Sequence, residues 1–327
     1  MEERTNGQQS GGVFKSLVYN GAVSLTLIDG GTFCAEGIRT HALTGVSAES
    51  FASALLFAAF AGADLKEPSG EVSCTVKTDG RLKNVTVSCS ADLDVRGCID
   101  EAEENERGEF GRSGFLQVVH SDAYSRPFVG ACALIYGKED CRAKSDGNAD
   151  DDKTKDVKTK DDITKDDKTD GGKTDGAAEF FARNFKEYFR QSEQLPTEFV
   201  MRADEKNNAY ICAALQALPG SDGTWESAAK KTLGALVEAY GNEREKNGFF
   251  QAAERAAARI FKSVECKKRR LAAYRCKCSR EYLKGVLASL GKEEINSILN
   301  ERGKITAHCH YCNKDYAFTK DDLKDLL

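Results

Sequence analysis

The chain has 327 residues, 40% of them hydrophobic, with 30% charged positions and a net charge of −5. That is enough apolar sequence for one sizeable core plus a smaller unit, and the acidic balance argues against a dedicated nucleic-acid binder, which carries a basic surplus. The polar start, Met1 to Gly12, lacks the apolar stretch of a secretory signal, and the apolar run from Ala52 to Ala63 is too short for a membrane span, so a cytoplasmic chain with no membrane partner is expected.

Residues 14–136 read as α+β. Val23 to Ile28 is a strand-like run, and Ser47 is placed to cap a helix from Ala48 to Ala61 that Gly62 ends. That helix is apolar nearly all round and belongs in a core. Val72, Cys74 and Val76 alternate with polar residues, Asp79-Gly80 marks a hairpin turn, and Val85, Val87 and Cys89 return. Phe115 to His120 and Val129 to Ile135 are further strands. Residues 138–176 repeat Lys, Asp and Thr without aromatics, so they read as a disordered insertion that cannot offset its ordering entropy.

Core-like sequence resumes with a helix from Ala178 to Arg190, with Phe181, Phe185 and Tyr188/Phe189 on one face. Ser192 to Thr197 breaks it, since proline disfavours helix in the residue before it. Thr197 to Met201 and Tyr210 to Leu218 are strands. Residues 221–271 read as helical, with stripes Trp225, Ala229, Leu233, Leu236, Tyr240 and Phe250, Ala253, Ala257, Ile260/Phe261, Val264. Both stripes are alanine-rich and depend on a neighbour for stability. The expected organisation is an α+β core over 13–219, a metastable helical linker over 220–271 and a small metal-binding unit over 272–327.

Cysteine usage carries the chemistry. Twelve cysteines in a cytosolic chain point to metal or redox roles for any clustered set, because stable disulfides are rare there. Cys34, Cys74, Cys89, Cys98, Cys132 and Cys212 read as small buried apolar residues, whereas Cys141 and Cys266 lie in polar sequence and should be exposed. The other four form Cys276-Lys277-Cys278 and Cys309-His310-Tyr311-Cys312, with 30 residues between the pairs. Zinc takes four tetrahedral ligands and favours thiolates, so one structural zinc on Cys276, Cys278, Cys309 and Cys312 is expected. His308 and His310 are alternative ligands beside a shell that four cysteines already fill.

Between the pairs, Tyr282, Val286 and Leu290 share a helical face up to Gly291, and a second helix starting at Glu294 turns Ile295, Ile298 and Leu299 inward. Tyr316 and Phe318 are expected to pack over the metal. The unit is too small to rest on its core, and structural zinc supplies roughly 10–16 kcal/mol of apparent binding free energy in such units. Losing the metal should unfold it, and the thiolates that zinc holds are open to oxidants.

These residues identify a resemblance. The Cys-x-Cys and Cys-x-x-Cys pairs, Tyr188-Phe189-Arg190-Gln191-Ser192-Glu193-Gln194-Leu195-Pro196-Thr197 and Arg96-Gly97 together resemble the heat shock protein 33 family of redox-regulated chaperones. The resemblance implies an ATP-independent holdase that is inactive while reduced and zinc-bound. It implies that oxidation pairs Cys276 with Cys278 and Cys309 with Cys312, that zinc leaves, and that the terminal unit and linker unfold. The active form is then a homodimer that binds unfolded client proteins. The chain departs from the family pattern in its charged insertion, in the absence of a Gly-Arg pair near the start of the 48–61 helix, and in Cys266 beside the basic run Lys267 to Arg270. No Ser/His/Asp set, phosphate loop or carboxylate pair suggests an enzyme. Two rivals stand beside this reading: a zinc module binding nucleic acid or protein, helped by Lys267 to Arg270, and a thiol oxidoreductase using Cys309 and Cys312, a role that normally needs a helix after the pair in a βαβ setting.

Overall fold

The computed structural model describes residues 11–102, 108–136 and 176–326. The insertion read over 138–176 lies outside the described residues except for Gly176, and so does Cys141.

In chain order, β1 (Gly12–Val18) and β2 (Val23–Asp29) precede α1 (Gly31–Thr40) and α2 (Gly45–Gly62). Five strands follow: β3 (Glu71–Thr78), β4 (Leu82–Ser90), β5 (Asp94–Glu101), β6 (Gly114–Ser121) and β7 (Phe128–Ala133). Then come α3 (Ala177–Tyr188), β8 (Thr197–Asp204), β9 (Ala209–Ala217), α4 (Glu226–Arg244), α5 (Phe249–Ile260), β10 (Glu265–Leu271) and β11 (Ala273–Tyr274). The last part holds α6 (Arg280–Ala288), α7 (Lys292–Arg302), β12 (Ile305–Cys309) and β13 (Lys314–Phe318).

Two sheets enclose the core. One is antiparallel with order β10-β1-β2-β9-β8, and the other has order β11-β5-β4-β3-β6-β7, with β11 parallel to β5. Between them lie α1, α2 and α3. By length and composition α2 could cross a membrane, but 83% of it is buried inside the protein, so it is the core helix. Phe57 on α2 stacks on Phe185 of α3 with centroids 3.8 Å apart. Residue β2 positions are buried on both faces because helices cover both sides of its sheet: Val23, Leu25 and Leu27 meet α4 and α5, while Ile28 joins the α2 side.

A buried ionic contact ties α4 to the core. Asp29, at the end of β2, accepts the Gly31 amide at 2.8 Å, the Tyr240 hydroxyl and Arg244 Nε at 3.0 Å. The 188–197 motif is a structural joint, as its sequence suggests. The Tyr188 hydroxyl donates to Glu193 at 2.6 Å, Ser192 Oγ donates to the Ala131 carbonyl at 3.2 Å, and Gln194 turns the chain at φ 55°.

Several sequence expectations change. Residues 265–271, read as the end of a helical stretch, form β10 on the edge of the first sheet, paired with β1. An exposed edge strand carries no apolar period, and its partner lies some 250 residues away. Helix α2 starts at Gly45, so Ser47 lies inside it and donates to Glu101 rather than capping. β1, α1 and β5 lacked a clear period in the sequence. α1 is set by tertiary contact: a Cβ on Gly37 would lie 2.8 Å from Tyr274 and 3.0 Å from Leu55 and Phe51.

Candidate metal centre

The two cysteine pairs arrive from opposite directions. β11 leaves the edge of the second sheet and delivers Cys276 and Cys278, after which Ser279 caps α6 by accepting the Tyr282 amide at 3.0 Å. The second pair sits at the turn of the β12–β13 hairpin, where the Cys309 carbonyl accepts the Cys312 amide at 3.3 Å and the Asn313 amide at 2.8 Å. Asn313 takes φ 57°, a left-handed conformation that asparagine tolerates. The Cys-x-x-Cys therefore closes a hairpin instead of opening a helix, which removes the structural context an oxidoreductase pair uses.

The geometry brings Cys276, Cys278, Cys309 and Cys312 together, with all four sulfurs within 4.8 Å of one another. Cys276 and Cys309 are 3.6 Å apart, and Cys278 and Cys312 are 3.1 Å apart. Each pair thus contributes a sulfur that meets one from the other pair, so the two segments converge on one point. The arrangement can hold a metal ion.

The sulfurs differ electrostatically. Desolvation pushes the Cys276 thiol up to about 11, helped by its neighbours Cys278 and Cys309. Desolvation also raises Cys312, with the Cys278 contact adding to it. At Cys278 slight burial works upward, but hydrogen bonds with Tyr316, Cys312, Cys276 and Cys309 outweigh it and bring the thiol down to about 7. The Tyr316 hydroxyl lies 3.3 Å from Cys278 Sγ, so Tyr316 packs against the sulfur cluster. Phe318 instead joins the small core, under Arg280 at 4.6 Å.

His308 and His310 stand outside the cluster: His308 Nδ1 bonds Asp315 at 2.8 Å, and its ring stacks edge-on with His310. α6 turns Leu283 and Leu287 inward, so the face of Tyr282, Val286 and Leu290 points to solvent. Ile295 and Leu299 are buried as expected.

Cys34, Cys74, Cys89, Cys132 and Cys212 are buried, and Cys266 is exposed, as the sequence suggests. Cys98 is different. Val95, Gly97 and Ile99 face α2, so Cys98 alternates to the outer face of β5 beside Arg96. Desolvation pushes its thiol up to about 11, and Asp100 and Cys309 of the cluster add to the rise. Nothing in the residue spacing links position 98 to position 309. The basic run is internally paired: Lys267 with Glu265, Lys268 with the Ala63 carbonyl at 2.9 Å, Arg269 with Glu254 and Arg270 with the Ala91 carbonyl. The side chains of Lys267, Lys268 and Arg269 nonetheless stay 45%, 44% and 48% exposed.

Known proteins are similar to this chain. The family model described as Hsp33 protein matches residues 12–142 and 159–319. A 33 kDa chaperonin of Bacillus cytotoxicus is 23% identical, covering 96% of this chain and 97% of its own, and one of Acetivibrio thermocellus is 22% identical, covering 89% and 88%. The crystal structure of the 33 kDa chaperonin (heat shock protein 33 homolog) of Thermotoga maritima superposes with a TM-score of 0.64 at 19% identity, covering 98% of each chain, which shows the shared fold.

Proposed function

The chain belongs to the Hsp33 family, and on that premise we propose that it is a redox-regulated, ATP-independent holdase of the cytoplasm, not an enzyme. The observation that carries the reading is the convergence of four sulfurs within 4.8 Å from two segments separated by 30 residues. Tetrahedral zinc–sulfur bonds of about 2.3 Å put neighbouring sulfurs about 3.8 Å apart, against 3.6 Å between Cys276 and Cys309 and 3.1 Å between Cys278 and Cys312. A four-thiolate shell suits zinc and not the hard cations magnesium and calcium. We assign Cys276, Cys278, Cys309 and Cys312 as ligands of one zinc per chain in the reduced state. Bound there, the ion supplies the cross-link between the two segments.

Under oxidant the sulfurs themselves change. Each thiolate pair, Cys276–Cys278 and Cys309–Cys312, gives two electrons to hydrogen peroxide, which takes two protons from solvent and leaves as two waters. Each local disulfide spans one or two residues and restrains almost none of the unfolded chain. The unit over 272–327, with six buried apolar side chains in its core, then unfolds. The 220–271 linker follows, and its departure bares the apolar face of the first sheet, including Leu25, Leu27, Ala213 and Leu215, which α4 and α5 cover in the reduced state. That face, on the 13–219 core, is where unfolding clients are held, and the active form is a homodimer.

The test is light scattering with a heat-unfolding client, together with zinc content and disulfide mapping. Peroxide-treated protein should suppress aggregation, release its zinc and carry the two local disulfides. Suppression by the reduced form alone would refute the switch. So would disulfides between Cys276 and Cys309 or between Cys278 and Cys312, because they would keep the two segments joined.

A further inference from the structure

We propose that Tyr311 is the positioning residue that couples the metal centre to the body of the protein, latching β11 to β5 only while Cys309 and Cys312 converge on the metal. This inference rests on the metal reading of the four cysteines.

Among the described residues, the hydrogen bonds that join residues 276–326 to the body end on Tyr311 and Asn313. The Tyr311 carbonyl accepts the Tyr274 hydroxyl at 2.6 Å and lies 3.3 Å from His41 Nε2. The same hydroxyl is 3.1 Å from the Gly97 carbonyl and 3.1 Å from His41 Nε2. The Tyr311 ring lies 5.1 Å from the Arg96 guanidinium, a cation–π contact, and its hydroxyl meets Ser88. Asn313 adds a 3.4 Å bond to the Thr40 carbonyl. One residue therefore touches β4, β5, β11 and the residue that follows α1.

The receiving surface is held in place. Arg96 Nε donates to Ser88 at 3.0 Å, and Arg96 pairs with Glu71 at 2.6 Å. A Cβ on Gly97 would lie 2.7 Å from Val87 and 2.8 Å from Phe51, so only glycine lets β5 approach α2 closely enough to set this surface. The Arg96-Gly97 dipeptide thus points its arginine at Tyr311 and its glycine at the core.

Tyr311 lies between two cluster sulfurs. A turn whose end side chains converge on one point sends its middle residue away from that point, and here the middle residue faces the body. When Cys309 and Cys312 no longer converge, nothing holds the Tyr311 carbonyl and ring toward His41, Tyr274 and Arg96 together. β11 then keeps its own pairing, with the Ala273 amide to the Leu93 carbonyl at 3.1 Å and the Arg275 amide to the Val95 carbonyl at 2.9 Å, together with the contacts of the Tyr274 hydroxyl to Gly97 and His41 and the Arg275–Asp94 ion pair at 3.3 Å. A two-residue strand is marginal alone, and β10 and the α4–α5 pair precede it directly in the chain. The metal signal therefore reaches the linker through Tyr311.

The test is amide exchange at Ala273 and Arg275 in the reduced, zinc-loaded full chain, with zinc content measured in parallel. In the wild type, chelation should speed exchange at these amides about tenfold or more. Tyr311→Ala should show that fast exchange with zinc still bound, and chelation should then add less than about twofold, while the β12–β13 amides stay chelator-sensitive. Tyr311→Ala that binds zinc and keeps wild-type protection at β11 overturns the proposal. Where Tyr311→Ala loses zinc, Tyr274→Phe decides by its response to chelation, because it leaves the Cys-x-x-Cys turn unaltered but also removes the hydroxyl's contacts with Gly97 and His41: a zinc-bound variant in which chelation adds less than about twofold supports the latch, and one in which chelation still speeds exchange about tenfold overturns it. A wild type that holds zinc but whose β11 ignores chelation overturns the latch alone. A wild type that holds no zinc overturns the metal reading and the latch with it.

Discussion

In the body, α2 is buried at 15 of its 18 positions between two sheets, and its phenylalanines pack into a cluster that includes Phe185, Phe189 and Phe199. In the C-terminal unit six buried apolar side chains form the core, and α6 with the turn after it leaves Tyr282, Val286 and Leu290 at 63%, 48% and 49% exposure. The first region distributes its stability over many contacts, so no single change removes all of it. On the proposed metal reading the second concentrates its stability at four sulfurs, and a concentrated support can be withdrawn in one step. A switch belongs in the second kind of region and a scaffold in the first.

The sharpest way to break that contrast is to remove the sulfurs. The quadruple Cys276, Cys278, Cys309, Cys312→Ser variant loses a metal contribution of roughly 10–16 kcal/mol, more than a core of this size supplies. Amide exchange should show protection lost across α6, α7, β12 and β13 and retained in β3, β4 and β9. Equal protection in the variant and the wild type would abolish the distinction between the two regions. The matching change in the body is Phe57→Ala, which opens a cavity in the aromatic cluster and should cost about 3–5 kcal/mol. Urea unfolding measures that loss. The variant should still bind one zinc, and a fall in zinc stoichiometry would mean the body, and not the sulfurs, holds the site together.

Acidity sharpens the same comparison. Burial raises Cys276 to about 11 and also raises Cys312, so both carry protons in the metal-free unit at neutral pH. Zinc must expel the protons its thiol ligands carry, so its affinity falls as pH falls. The slope steepens below about 7, where Cys278 is protonated as well. Competition with a chromophoric chelator across that range reads the slope, and a flat profile would contradict thiolate ligation. Body unfolding should not follow this profile.

Parts of this architecture were legible from residue patterns. The alternation at Val72, Cys74 and Val76 and the Asp79-Gly80 turn located the β3–β4 hairpin, because strand period and turn chemistry are local properties. The phenylalanine stripe located α3, and the all-round apolar run located the core helix. Other features were not legible. β10 exposes most of its residues, so it shows no period, and its pairing with β1 is its only reason to be a strand. The α6 stripe of Tyr282, Val286 and Leu290 is equally apolar to the eye as its neighbours, yet the module packs the Leu283 and Leu287 side instead.

The sequence by itself determined the four cysteines that cluster, the α+β class and the helix at the centre of the core. Ligand spacing and hydrophobic period are written into short windows, where residue type alone sets the chemistry. Tertiary structure decided that Cys98 lies on the outer face of β5, that residues 265–271 close the first sheet, and that Tyr311 meets Arg96 and Tyr274. Those contacts join residues up to about 250 positions apart, and only chain folding sets which surfaces meet across such distances.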